Sequence, residues 1–95
     1  MRVNWTETAI EHLSGIQAYV AQNSPAYARR IVDRLTRRSR QIAQFPYSGR
    51  AVPELDLPQV REVLEGPYRI IYRIRPDQID VLAVIHSAQQ TPWNQ

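Results

Sequence analysis

The first half of the chain repeats its apolar positions at helical spacing, and the second half alternates them. Ile10, Leu13, Ile16 and Tyr19/Val20 mark one amphipathic helix, and Ala28, Ile31, Leu35 and Ile42 mark another. Ahead of the first helix, Arg2 to Trp5 alternates briefly and predicts a strand. Either Thr6 or Thr8 can cap the helix, and Thr8 with Glu11 has capping-box spacing. Gly15 weakens the helix or lets another element come close, and Asn23 stops it. Ser24-Pro25 restarts the chain as a helix, with serine at the N-cap and proline in the first turn. That helix runs to about Gln44, before Pro46. The short link makes the two helices an antiparallel hairpin.

Residues 45–59, FPYSGRAVPELDLPQ, hold three prolines and a glycine. Phe45, Val52, Leu55 and Leu57 are available to anchor them, so an ordered loop is expected. Val60 to Glu65, Tyr68 to Arg75 and Gln78 to Ser87 are rich in β-branched and aromatic residues and predict strands. Gly66-Pro67 and Pro76-Asp77 supply the turns between them. If Arg75 pairs with Gln78, one face of the last hairpin collects Ile70, Tyr72, Ile74, Ile79, Val81, Ala83 and Ile85. That face is expected to meet the helices. The other collects Arg69, Ile71, Arg73, Asp80, Leu82, Val84 and His86, with Arg73 opposite Asp80, Ile71 opposite Leu82 and Arg69 opposite Val84. Strand positions an even number apart share a face. The expected architecture is α+β, in the order β-α-α-β-β-β. The helical hairpin covers one face of a small, mainly antiparallel sheet, in a single domain spanning 1–95.

Composition narrows the chemistry. Ninety-five residues, 43% hydrophobic and 22% charged, suit one small globular core. With no cysteine, disulfides and thiolate metal sites are excluded. His12 and His86 are too few for a zinc site without carboxylates, so no metal or other cofactor is expected. No apolar run approaches the ~20 residues of a membrane span. The N-terminal sequence lacks the apolar segment of a signal peptide, so the expected compartment is the cytoplasm.

Every basic side chain is arginine, and the charge is concentrated. Residues 24–50 carry seven arginines against one aspartate, while the flanking segments are slightly acidic. Arg30, Arg34 and Arg37 form a stripe on the second helix, where Asp33 can pair with Arg29 and Arg37. Such a patch attracts acidic proteins or phosphates; a solvated helix face is the plainer alternative. No helix-turn-helix pattern surrounds it. The strand arginines have a plain alternative too. Arg73 can pair with Asp80, and Arg69 with Glu62 or Glu65, at ~0.2–1 kcal/mol for an ordinary cross-strand pair. His86 can close the strand end by hydrogen bonding.

Several short motifs recur in a known order. They are Trp5-Thr6 followed by Ala9 and Leu13; Phe45-Pro46-Tyr47-Ser48-Gly49-Arg50; Val60-Arg61-Glu62; Tyr68-Arg69-Ile70-Ile71-Tyr72-Arg73; and Val84-Ile85-His86. In this order, and over nearly the whole chain, they resemble the ParE branch of the ParE/RelE toxins of bacterial type II toxin–antitoxin modules. The resemblance implies a toxin that binds DNA gyrase without a catalytic site of its own and is neutralised by a cognate antitoxin. In the RelE branch it would instead imply an mRNA endonuclease acting on the ribosome.

As a nuclease the chain would use Arg69 and Arg73 on phosphate, with Glu62 or His86 moving protons. After the last strand, Ser87-Ala88-Gln89-Gln90 supplies neither the basic residue nor the tyrosine of the RelE branch, and this favours the ParE reading. There the resemblance and the face assignment together nominate Arg61, Arg69, Arg73 and His86 for target contact. Arg30, Arg34, Arg37 and Trp93 are nominated for the antitoxin.

Overall fold

The computed structural model describes residues 1–88. Strand β1 (Arg2–Trp5) leads into helices α1 (Glu7–Ala21) and α2 (Pro25–Gln44). A 3-10 turn at Pro46–Ser48 follows, then β2 (Arg50–Ala51), β3 (Val60–Glu65), β4 (Tyr68–Ile74) and β5 (Gln78–His86). The strands form one sheet in the order β1-β5-β4-β3-β2. All neighbours are antiparallel except β1 and β5, which run parallel. The α+β architecture with a helical hairpin over a mainly antiparallel sheet is therefore as expected. Strand β2, two residues long, lies within the segment read as loop.

Local chemistry explains the helix starts. Ser24 accepts a hydrogen bond from the Tyr27 amide at 3.1 Å, and Pro25 occupies the first turn. Of the two threonines, Thr6 is the cap of α1: its oxygen accepts from the Ala9 amide at 3.2 Å. Its hydroxyl also donates to the Val81 carbonyl at 2.8 Å, and its own amide reaches the same carbonyl at 3.1 Å. The sheet therefore selects the cap, because only Thr6 lies where β1 leaves β5.

The main core lies between the helices and one sheet face. Ala9, Ile31, Leu35 and Ile42 meet Val63, Ile70, Tyr72, Ile74, Ile79, Val81 and Val84. A second core fills the opposite face, where Val52 and the half-buried Leu55 pack on Val60, Ile71, Ala83 and Ile85. The loop thus closes the face turned away from the helices. Of its four apolar anchors only Val52 and Leu55 serve; Phe45 and Leu57 are 66% and 54% exposed.

A register shift corrects the face assignment of β5. Tyr72 pairs with Val81, whereas Ile71 pairs with Ala83, so Leu82 is the extra residue of a bulge. Arg73 lies opposite Asp80 as expected, but Ile71 faces Ala83 rather than Leu82, and Arg69 faces Ile85 rather than Val84. One inserted residue reverses every later side chain. Ala83 and Ile85 therefore turn to the loop side, and Val84 and His86 turn to the helix side. Beyond the bulge β5 has no strand on its outer edge, since β1 ends opposite Val81. His12 from α1 fills that place: its Nδ1 accepts the Val84 amide at 3.2 Å.

The chain's return from α2 into β2 is held by Tyr72, which is fully buried. Its hydroxyl donates to the Pro46 carbonyl at 2.6 Å and accepts the Gly49 amide at 3.1 Å. A Cβ on Gly49 would lie 2.5 Å from that hydroxyl and 2.6 Å from the Glu62 carbonyl oxygen. The motif Pro46-Tyr47-Ser48-Gly49 is thus shaped to fit one phenol. Burial pushes the Tyr72 pKa up from its ordinary value near 10, against the opposing Gly49 hydrogen bond. A raised acid pKa means that the folded state holds its proton longer than the unfolded chain. The contribution to stability is therefore complete below about pH 10 and declines as pH rises through the folded value. Gly49→Ala is expected to lower stability by about 2 kcal/mol or more, measured by urea unfolding. Tyr72→Phe is expected to cost about 1–3 kcal/mol at neutral pH by orphaning the Pro46 carbonyl and Gly49 amide. It should also show a shallower loss of stability above pH 10 than the parent chain.

Candidate functional site

The loop-side face of the sheet carries an ion-pair network, and β3 and β4 build it. Glu62, Arg69 and Arg73 all project to this side, as strand alternation requires. The Arg69 guanidinium meets Glu62 through Nε at 2.8 Å and Nη2 at 2.6 Å. It meets both oxygens of Glu54, on the loop, at 2.9 and 2.8 Å. Arg50 on β2 adds a contact from Nε to the other Glu62 oxygen at 2.6 Å. The Glu62 side chain is fully buried, and that of Arg69 is 7% exposed. Hydrogen bonding to Glu54 foremost, then to Glu62, outweighs burial and pushes the Arg69 pKa further up.

The expectation that Arg69, Arg73 and His86 share one open surface is therefore corrected. Arg69 is on the predicted face but enclosed beneath the loop, and its pairing with Glu62 is the plainer alternative read from the sequence. Glu54, a partner absent from that reading, is the residue that brings the loop in. His86 stands on the opposite face, where its ring meets Tyr68 edge-on at 6.2 Å and its Nδ1 accepts the Ala88 amide at 3.2 Å. Arg73 alone of the three is on the predicted face and exposed. It makes no ion pair among the described residues; Asp80 instead contacts Arg75, at 3.5 Å. The bulge is the reason for the His86 error, and neither hydropathy nor spacing marks it.

Arg61 lies on the helix side of β3. Its Nη1 donates to the Gly49 carbonyl at 3.0 Å, and its guanidinium sits 4.9 Å from the centre of the Tyr47 ring. Its Nε is buried with no hydrogen-bond partner among the described residues. The arginines of α2 divide into two sets. Arg34 is bound to Glu65 of β3 at 2.9 Å, and Arg38 approaches the same carboxylate at 3.8 Å. Arg30 rests over Tyr27 at 5.6 Å. Arg37 is exposed, with Arg34 and Arg38 beside it around a shallow hollow. Asp33 pairs with neither Arg29 nor Arg37. Trp93 lies outside the described residues. Among the described residues no three histidine or acidic side chains gather as a metal site, and no helix is long and apolar enough to cross a membrane.

The sequence model for the ParE toxin of type II toxin–antitoxin systems matches residues 3–91. This chain belongs to the ParE toxin family. Similar proteins carry names from both ParE and RelE systems. The protein Y4kP of Sinorhizobium fredii is 36% identical over 93 residues, covering 96% of this chain and 93% of its own. Toxin RelE2 of Caulobacter vibrioides is 32% identical over 89 residues, covering 93% and 97%. Among solved structures, a chain of the chromosomal ParDE toxin–antitoxin system of P. aeruginosa superposes with a TM-score of 0.74 at 26% identity, covering 90% of this chain and 95% of its own. A chain of the RelBE2 toxin–antitoxin complex of Mycobacterium tuberculosis shares the fold at 0.64 and 22% identity, with the same coverage.

The buried network separates arginines that hold the fold from arginines left exposed. Arg69→Ala leaves Glu54 without its cation and the buried Glu62 with Arg50 alone. A loss of about 3–5 kcal/mol is expected, as for other broken buried pairs. Arg73→Ala removes an exposed group and should change stability by less than about 0.5 kcal/mol. Chemical unfolding of the two variants side by side checks both outcomes.

Proposed function

We propose that this toxin acts by binding DNA gyrase rather than by cutting RNA. The observation that carries this reading is the dispersal of the four candidate nuclease residues. Acid–base cleavage needs its groups within hydrogen-bond reach of one phosphate. Here Glu62 and Arg69 are committed to each other under the loop, His86 is across the sheet, and Arg73 stands apart on the surface. Arg73 is then the target-side cation of the nominated set. Arg61 supports it indirectly by holding Tyr47, and Arg69 supports it by keeping β4 and the loop in place.

The second partner is a cognate antitoxin. Two of the structural neighbours come from toxin–antitoxin systems, which supports that partner for this chain as well. The surface suited to it is α2, where Arg30 and Arg37 remain exposed and Arg34 keeps roughly half its side chain in solvent. An acidic, aliphatic segment that folds on binding would meet both the exposed charge and the notch that Tyr27, Ile31, Leu35, Pro67 and Tyr68 form with the Arg34–Glu65 pair. The expected compartment of both partners is the cytoplasm.

Induced expression separates the two target readings. The gyrase reading expects cleaved DNA to accumulate and a DNA-damage response to rise while transcripts keep their length. A RelE-type action, suggested by the name of the Caulobacter relative, would instead cut mRNA in a translating extract; that result would replace the gyrase reading. For the antitoxin surface, Arg30→Glu with Arg37→Glu should slow association at least tenfold at low salt, with a smaller difference at high salt. Stopped-flow mixing with the antitoxin reads this directly.

A further inference from the structure

We propose that the groove beside the β4–β5 turn binds a nucleoside phosphate, either as a free nucleotide or as part of a single strand. This rests on Arg73 being a target-side cation and adds the chemistry that it recognises. The groove encloses about 520 Å³ and is lined by Met1, Tyr47, Gln59, Arg73, Ile74 and Arg75. That size lies within the range of small-ligand sites. No carboxylate lines it.

Its two arginines carry charge that the fold leaves largely uncancelled. Arg73 is exposed and makes no ion pair among the described residues. Arg75, with 46% of its side chain exposed, touches Asp80 only at 3.5 Å. Asp80 meanwhile accepts hydrogen bonds from Asn4 at 3.2 Å and Gln78 at 2.6 Å. Adjacent guanidinium groups are the usual recognition element for phosphate oxygens.

Tyr47 supplies the second half of the site. It is 61% exposed, yet it is held by the Arg61 guanidinium. Arg61 is itself fixed to the Gly49 carbonyl at 3.0 Å. A held aromatic ring beside cations offers a stacking surface for a base next to contacts for its phosphate. An acidic peptide would use the arginines but gain little from the ring. Gln59 adds an amide that can serve a base edge or a sugar hydroxyl.

The test uses the full chain without gyrase, so that it can fail while the gyrase reading stands. Fluorescent ATP and a labelled eight-nucleotide single-stranded DNA are titrated separately at low salt, and anisotropy is read. Binding of either probe is expected, and the tighter one identifies the source of the phosphate. Arg73→Ala with Arg75→Ala should raise Kd at least tenfold and reduce the oligonucleotide's log–log salt slope by about 1.4, as for two lost phosphate contacts. Tyr47→Ala should raise Kd about fivefold or more with the salt slope unchanged, and Tyr47→Phe should restore the parent value. Arg29→Ala with Arg40→Ala should have little effect. The proposal is overturned if neither probe binds. It is also overturned if the α2 pair weakens binding as much as the groove pair, or if poly-glutamate binds the groove as tightly as the oligonucleotide.

Discussion

The sheet has two faces and the chain has helices enough for only one. How the second face is closed governs much else in this molecule. Arg69 solves the problem by joining β4 to Glu62 on β3 and to Glu54 on the loop. A buried ion pair of this kind adds little net stability, because desolvation offsets most of the attraction. The closure draws its favourable energy from Val52 and Leu55, at about 1.5–3 kcal/mol for a fully buried aliphatic side chain. What the ion pair contributes is position. A bidentate fork accepts Glu54 in one geometry, so the loop lies down in one way.

That closure separates the arginines by role. Those facing a carboxylate across short distances, Arg69 and Arg34 above all, are built into the fold. Arg73 and Arg37 are left in solvent. The family is that of toxins from type II toxin–antitoxin systems. Exposed arginines lie in separate places, along α2 and at the far end of β4 among them. Arginine content alone would have treated them as one basic surface.

The Leu82 bulge has a comparable reach. It turns His86 away from Arg73 and toward Tyr68, and beyond it β5 runs on past the end of β1, which leaves the Val84 amide on an edge without a strand. His12 then accepts that amide, joining the middle of α1 to the end of β5. A helix histidine thus becomes part of the sheet's edge. The same departure of β1 from β5 makes Thr6 the helix cap in place of Thr8.

What the sequence by itself determined was local. The helix spans, the Ser24-Pro25 restart, the β3 boundaries, the Gly66-Pro67 turn and the apolar face of β4 all follow from periodicity and cap chemistry, which act over a few neighbours. The motif order pointed to the family for the same reason, since each motif is a short local solution. The tertiary structure decided which of several available contacts each long side chain made. Glu54 lies far from Arg69 along the chain, and the bulge arises where two strands of unequal demand must share one ladder. Such choices are settled by which groups meet once the layers close, because a carboxylate or an amide taken from water must find its partner there.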